Sequence, residues 1–192
     1  MNMSPKTIQR SFYILIFLAG SIMVGQSFYM TAKAELAQYL IGSTWNSRQS
    51  DQPAAKPWPW ADIHAVAKIE VPRLNITQYI MNDSSGEALA FGAGHLIKTA
   101  LPAKNGHSMI AGHRDSHFEF LQHLSVGDQI IVSNYLGETQ TYHVNSAYQL
   151  DIREDALMHY QDHSGLTLIT CFPFNNLANQ GPLRWIVEAE PI

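Results

Sequence analysis

Leu166-Thr167-Leu168-Ile169-Thr170-Cys171 is an apolar, β-type run that ends in the chain's single cysteine, with Pro173 two residues beyond. A short run of this kind, punctuated by a proline, reads as a strand. It sets the sulfur at a strand end, where connecting segments carry chemistry. Working outward, six more runs have strand character. Val66–Val71 alternates apolar with polar and is interrupted by Pro72, and Ile76–Met81 follows. Ser108–Ala111 ends at Gly112, and Gln129–Ser133 is apolar and β-branched. Thr139–Tyr148 alternates after a turn at Leu136-Gly137-Glu138, and Leu183–Ala189 closes the series. Short strands separated by Gly, Asn and Asp turns predict a mainly β body, a closed barrel or sandwich, over residues 61–192. Short helices are predicted at Ser116–Leu124, with Asp115 or Ser116 as N-cap, and at Glu154–Tyr160.

The chain has 192 residues, 46% of them hydrophobic and 15% charged, which excludes a disordered or fibrous protein. One cysteine excludes an internal disulfide framework and a thiolate zinc site. Mean hydropathy is −0.11, but the average hides an uneven chain. Phe12 to Met30 are 19 consecutive uncharged positions, preceded by Lys6 and Arg10. That run is long enough to cross a hydrocarbon core of about 30 Å. It is read as a transmembrane signal anchor with a cytoplasmic segment 1–11 and an exported remainder. A cleavable signal peptide is the alternative, because Ala32-Lys33-Ala34 fits a small-x-small site, although the run exceeds the usual signal core. A buried core helix is a third reading, opposed by the lack of enough apolar sequence elsewhere to surround it. Segment 31–60 reads as a continuing helix over Lys33–Trp45, a polar linker, and Pro57-Trp58-Pro59-Trp60. Those tryptophans are expected to pack on the body, to lie at a membrane interface, or to belong to a plain stiff spacer. Beyond Met30 the chain holds 10 basic and 16 acidic residues, a balance of −6, which disfavours nucleic-acid binding.

A lone cysteine is often a small buried hydrophobe. In an exported protein, however, a free thiol is exposed to oxidation, and nucleophilic catalysis is one reason for it to persist. A cysteine nucleophile needs a proton partner and a group that stabilises the oxyanion. Of nine histidines, His113 stands where a strand ends, directly after Gly112. Arg184 opens the last strand, as either a solvated edge residue or an active-site cation. His113 and His117 are four apart but lack the HExxH glutamate, so zinc is not expected. No GxGxxG loop and no GxSxG elbow occurs.

At these residues the chain resembles the sortases, membrane-anchored cysteine transpeptidases. Ala111-Gly112-His113-Arg114-Asp115, Thr167-Leu168-Ile169-Thr170-Cys171 and Leu183-Arg184-Trp185-Ile186-Val187 match three family motifs in family order, and the likeness covers about Ala61 to Ala189. Finer features resemble the Gram-negative, proteobacterial type: Ala32–Gln38, Pro57–Asp62 and Cys171-Phe172-Pro173-Phe174. The resemblance implies an eight-stranded sortase β-barrel with short helices behind a single-pass inner-membrane anchor, its catalytic domain periplasmic. It implies Cys171 as nucleophile, His113 as acid and base, and Arg184 as oxyanion or substrate ligand. Asp115 orients His113 or caps the following helix, the cap being preferred. Thr170 contacts substrate or is a plain strand residue. The implied partners are a surface protein with a C-terminal, LPxTG-like sorting signal, of von Willebrand factor type A kind, and an amine acceptor. No cofactor and no metal site is expected; no acidic cluster clearly reproduces a calcium site, so calcium dependence is not carried over from the resemblance. A thiol endopeptidase using water and a non-catalytic binding barrel are the competing functions.

Overall fold

The computed structural model describes residues 5–47, 56–154, 164–175 and 181–192. The chain divides into two units after Tyr39. The described part of the first unit, residues 5–39, is helical and lies within α1, Pro5–Asn46. Its uncharged stretch carries exposed Leu15, Phe17, Met23 and Phe28. Among the described residues, no helix is long and apolar enough to cross a membrane; the stretch expected to span at 12–30 is found as helix. The predicted continuation of helix through Lys33–Trp45 is observed.

The second unit is a closed barrel of eight strands: β1 Ala65–Val71, β2 Ile76–Met81, β3 Ala93–His95, β4 His107–Ala111, β5 Gln129–Asn134, β6 Thr139–Asp151, β7 Gly165–Cys171 and β8 Leu183–Pro191. The order round the barrel is β1-β2-β3-β4-β7-β8-β6-β5, closed by pairing of β5 with β1. All seven strands read from the sequence are present. The eighth, β3, is Ala-Gly-His and too short to alternate. Gly94 is needed there, because a Cβ would lie 2.2 Å from the Asp83 carbonyl oxygen. Between β2 and β3 sits the one-turn helix α2, Gly86–Leu89, whose Ala88 N–H donates to the Ser85 hydroxyl at the N-cap.

β7 is buried along its length and ends on a half-buried Cys171, which explains its near-continuous apolar run. It pairs in parallel with β4 and antiparallel with β8. Side chains alternate across the barrel wall. Ile110, Leu166, Leu168, Val187 and Ala189 point into the core with Phe118, Val132 and Val144. Met109, Ile169 and Ile186 form a strip on the outer face, with Leu96, Tyr148 and Leu150 against it. A third cluster joins Ile41 of the last helical turns to Ile63, Met81 and Ala88. There the Trp45 ring lies 6.2 Å from that of Tyr79. Trp58 packs edge-on against Phe91 at 5.6 Å, whereas Trp60 is 80% exposed, so the two tryptophans of the Pro/Trp segment behave differently. The polar linker before them lies outside the described residues, apart from Ser47.

The helix predicted at Ser116–Leu124 is shorter than expected: a turn and then a 3-10 helix, Glu119–His123. Its N-cap is Phe118, with no side-chain hydrogen bond, so neither Asp115 nor Ser116 caps it. Gly112 and Phe118 account for this. Phe118 is fully buried and fills the space beside Gly112, so the chain must descend to the core before it can turn helical. The helix predicted at Glu154–Tyr160 lies outside the described residues, apart from Glu154.

Below the barrel wall, Arg73 grips Asp128 through two hydrogen bonds of 2.5 and 2.6 Å and donates a third to the His123 carbonyl. Asp128 also accepts from the Ser125 N–H at 2.7 Å. The Arg73 hydrogen bond, more than the opposing desolvation, holds the Asp128 carboxyl below its ordinary value of 3.8. A carboxylate held down in the folded state contributes stability above the unfolded pKa and loses it as pH falls through the folded one. Asp128→Asn is therefore expected to lower stability at pH 7 by about 1–3 kcal/mol and to flatten the acid limb of the unfolding curve below about pH 4. Denaturant melts of both proteins across pH 2–7 check this, and parallel pH profiles would remove the assigned role.

Candidate active site

Three strand ends converge on one rim of the barrel. Cys171 is the last residue of β7, a free, half-buried thiol. Arg184, the second residue of β8, is its direct partner in the antiparallel register. Both carry the parity of Ile169 and Ile186, so they stand on the outer face at the end of the apolar strip. β4 runs parallel to β7 with Ala111 opposite Ile169. The same offset, carried two residues on, brings His113 level with Cys171.

The backbone around His113 is pinned at three points. The Gly112 N–H donates to the Ile169 carbonyl at 3.0 Å, extending the β4–β7 ladder past the strand end. The Thr170 hydroxyl donates to the Gly112 carbonyl at 2.7 Å. The His113 carbonyl accepts the Phe118 N–H at 2.9 Å, folding residues 113–118 into a closed turn. Gly112 is obligatory in this arrangement, since a Cβ would meet the Phe118 ring at 2.7 Å. Thr170 is 2% exposed and its side chain points inward. It bonds the carbonyl of the residue before His113.

Arg184 is oriented by backbone as well. Its Nη1 donates to the Gly181 and Leu183 carbonyls at 2.9 and 2.8 Å. A guanidinium carries five N–H donors in a fixed fork, so these contacts orient the group without exhausting it. Asp115 is exposed on the turn. Its charge bears on His117, whose imidazole is pushed below its ordinary pKa first by burial and then by His113, with Asp115 opposing. His117, four residues on, is thus within electrostatic reach of His113.

Beyond Cys171 the peptide bond Phe172–Pro173 is cis. Phe172 stacks on Trp185 with ring centroids 5.5 Å apart, and Phe174 meets the same indole edge-on at 6.1 Å. This aromatic group roofs the barrel end next to the thiol. The contact has no sequence signature, because it is strand pairing that brings Trp185 across. Among the described residues, no group of three or more His, Cys, Asp or Glu side chains could hold a metal ion.

A cysteine at the end of one barrel strand, an arginine opposite it and a histidine loop beside it match a known design. The Sortase domain family model matches residues 69–192. The chain belongs to the sortase family. Over 125 residues it is 30% identical to Sortase D of Bacillus subtilis (strain 168), a match covering 65% of this chain and 62% of that protein, under two thirds of the relative's length. Among solved structures it is similar to a Sortase D5 transpeptidase of Clostridium perfringens, with TM-score 0.62 and 23% identity over 81% of this chain and 96% of that one. Sortase A of Corynebacterium diphtheriae gives TM-score 0.59 at 22% identity, covering 98% and 96% of the two chains. Sortase C-1 of Actinomyces oris gives 0.57 at 26% identity, covering 84% and 98%. The likeness to the first two structures is one of fold.

Removing the Thr170 hydroxyl while keeping the side chain's volume isolates its role. Thr170→Val should lower the rate of acylation of Cys171 by about tenfold or more, as expected when a catalytic loop shifts by a fraction of an ångström. Thr170→Ser should restore much of it. Single-turnover labelling by a substrate peptide, read beside thermal melts, checks this. Unchanged acylation in Thr170→Val would return Thr170 to a plain strand residue.

Proposed function

We propose that this protein is a membrane-anchored cysteine transpeptidase acting on the C-terminal sorting signal of a surface protein. The observation that carries the reading is the β7–β8 register, in which Cys171 faces Arg184 beside the pinned histidine loop. The Cys171 thiolate attacks the carbonyl carbon before the scissile bond of an LPxTG-like signal. The oxyanion formed is met by the Arg184 guanidinium, whose fixed charge suits it. As the C–N bond breaks, His113 as imidazolium gives its proton to the departing amine, leaving a thioester on Cys171. An incoming amine then attacks the thioester, His113 takes its proton, and the thiolate is released with the new amide formed. No cofactor enters this scheme.

The anchor is part of the proposal. Residues 12–30 are uncharged and helical, and among them Leu15, Phe17, Met23 and Phe28 are exposed, as suits side chains meant for lipid. With Lys6 and Arg10 preceding them, the barrel would be periplasmic on a single-pass inner-membrane helix. The Gram-negative assignment, and with it a von Willebrand factor type A target, rests on segments 32–38, 57–62 and 171–174.

The full-length chain in detergent micelles, given an LPxTG-containing peptide with and without candidate amines, tests the reaction. Acyl-enzyme at Cys171 by mass spectrometry and an amine-dependent amide product are expected. Cys171→Ala should abolish the acyl-enzyme, and His113→Ala and Arg184→Ala should each slow its formation by about 10²–10³-fold without lowering the melting temperature. Release of hydrolysed peptide alone, whatever amine is supplied, would make the protein a thiol endopeptidase.

A further inference from the structure

Cys171 is held from both sides by neighbours that face the other way. It stands outward with Arg184, whereas Thr170 and Phe172 take the inner face. Thr170 reaches towards β4, where its hydroxyl donates to the Gly112 carbonyl. Phe172 reaches towards β8. Its N–H donates to the Leu183 carbonyl at 3.1 Å, which carries the β7–β8 ladder one residue past the thiol. Its ring lies on Trp185 with centroids 5.5 Å apart and planes at 23°. Trp185 is the register partner of Thr170 and the residue after Arg184, so it stands inward while the guanidinium stands outward. Phe174 completes the group, edge-on to Phe172 at 6.2 Å and to Trp185 at 6.1 Å.

Side-chain contact matters here because the backbone support of β7 is ending. Cys171 and Arg184 are the last residue pair of the β7–β8 register, and the regular β4–β7 pairing stops at Ala111 and Ile169. Strand ends open more readily than strand middles. β8 is better supported at this level, since β6 pairs Leu150 with Arg184 and Gln149 with Trp185. Trp185 also packs on the main core. Its N–H is buried and has no hydrogen-bond partner among the described residues. Burying an unpaired donor is unfavourable, so the indole serves by its ring face, which is broad enough to meet both phenylalanines.

We infer that Trp185 is a positioning residue for acylation: its stack on Phe172 holds the Cys171 end of β7 against β8 and so sets where the thiol stands relative to the Arg184 guanidinium. The inference rests on the transpeptidase reading above. Trp185 takes the face opposite the thiol, so it acts through the strand and not on the substrate. An oxyanion ligand works only within a narrow range of distance, so a small shift of the strand end is felt in the rate.

The test uses the full-length chain in detergent micelles and an LPxTG-containing peptide in single-turnover acylation, which separates the peptide's Kd from the acylation rate constant. Trp185→Leu should lower the rate constant by about tenfold or more and leave Kd within about threefold. Trp185→Phe, which keeps a ring against Phe172, should recover most of the loss. Phe172→Leu removes the stack from the other side and should match Trp185→Leu. The readout that a merely structural role would not move is the cycle with Arg184→Ala. Once the guanidinium is gone, Trp185→Leu should cost less than about threefold, because the geometry it protects no longer matters. An equal loss in both backgrounds, a change in Kd alone, or an unchanged rate overturns the role and leaves the transpeptidase reading intact. Failure of the wild type to acylate Cys171 overturns both. If Trp185→Leu does not fold, the cycle of Phe172→Leu with Arg184→Ala decides alone.

Discussion

The parallel pairing of β4 with β7 is the contact on which the site depends. A parallel pair cannot be closed by a hairpin, so its two strands meet only after the chain has travelled through β5 and β6. Nothing local fixes their register. It is fixed by burial: β7 is inaccessible along its length, and a slip of one residue would turn Leu166 and Leu168 outward and bury the thiol. The same register sets the histidine turn beside the cysteine. β8, antiparallel on the other side of β7, adds Arg184 by direct opposition.

Much of this was legible in the residues, and the reasons are physical. Strands with one face in the core alternate, and those buried on both faces read as apolar runs, so seven of the eight could be located. β3 could not, because Ala93-Gly94-His95 is chosen for close backbone approach to Asp83 and not for side-chain packing. The helix after His113 was misjudged for a related reason. Its cap-like Asp115 and Ser116 suggested an early start, yet the buried Phe118 ring against Gly112 dictates where the chain goes. Tertiary packing outweighs a local capping preference worth about 1 kcal/mol.

Cysteine, histidine and arginine stood out in the sequence because each follows or opens a strand. What holds them did not. The Thr170 bond to Gly112 joins residues 58 apart, and the carbonyls that orient Arg184 are backbone atoms with no sequence signature. The place of Glu188 on the Cys171 face emerges only when the β7–β8 register is known.

The two threonines of β7 show how one strand serves both faces. They are three residues apart, so they point to opposite sides of the barrel wall. Thr167 faces outward and bonds His107, the first residue of β4; Thr170 faces inward and bonds Gly112, just past the last. Each hydroxyl therefore ties β7 to one end of β4, Thr167 at His107 within the regular ladder and Thr170 at Gly112 just beyond it. The odd spacing lets one hydroxyl reach the His107 ring on the outer face and the other the Gly112 carbonyl from within. Valine at either position would keep the strand and its burial but leave that end to backbone bonds alone. At the Thr170 end, the segment left so is the one that carries His113, held then by the Gly112 N–H bond to the Ile169 carbonyl and by its own turn.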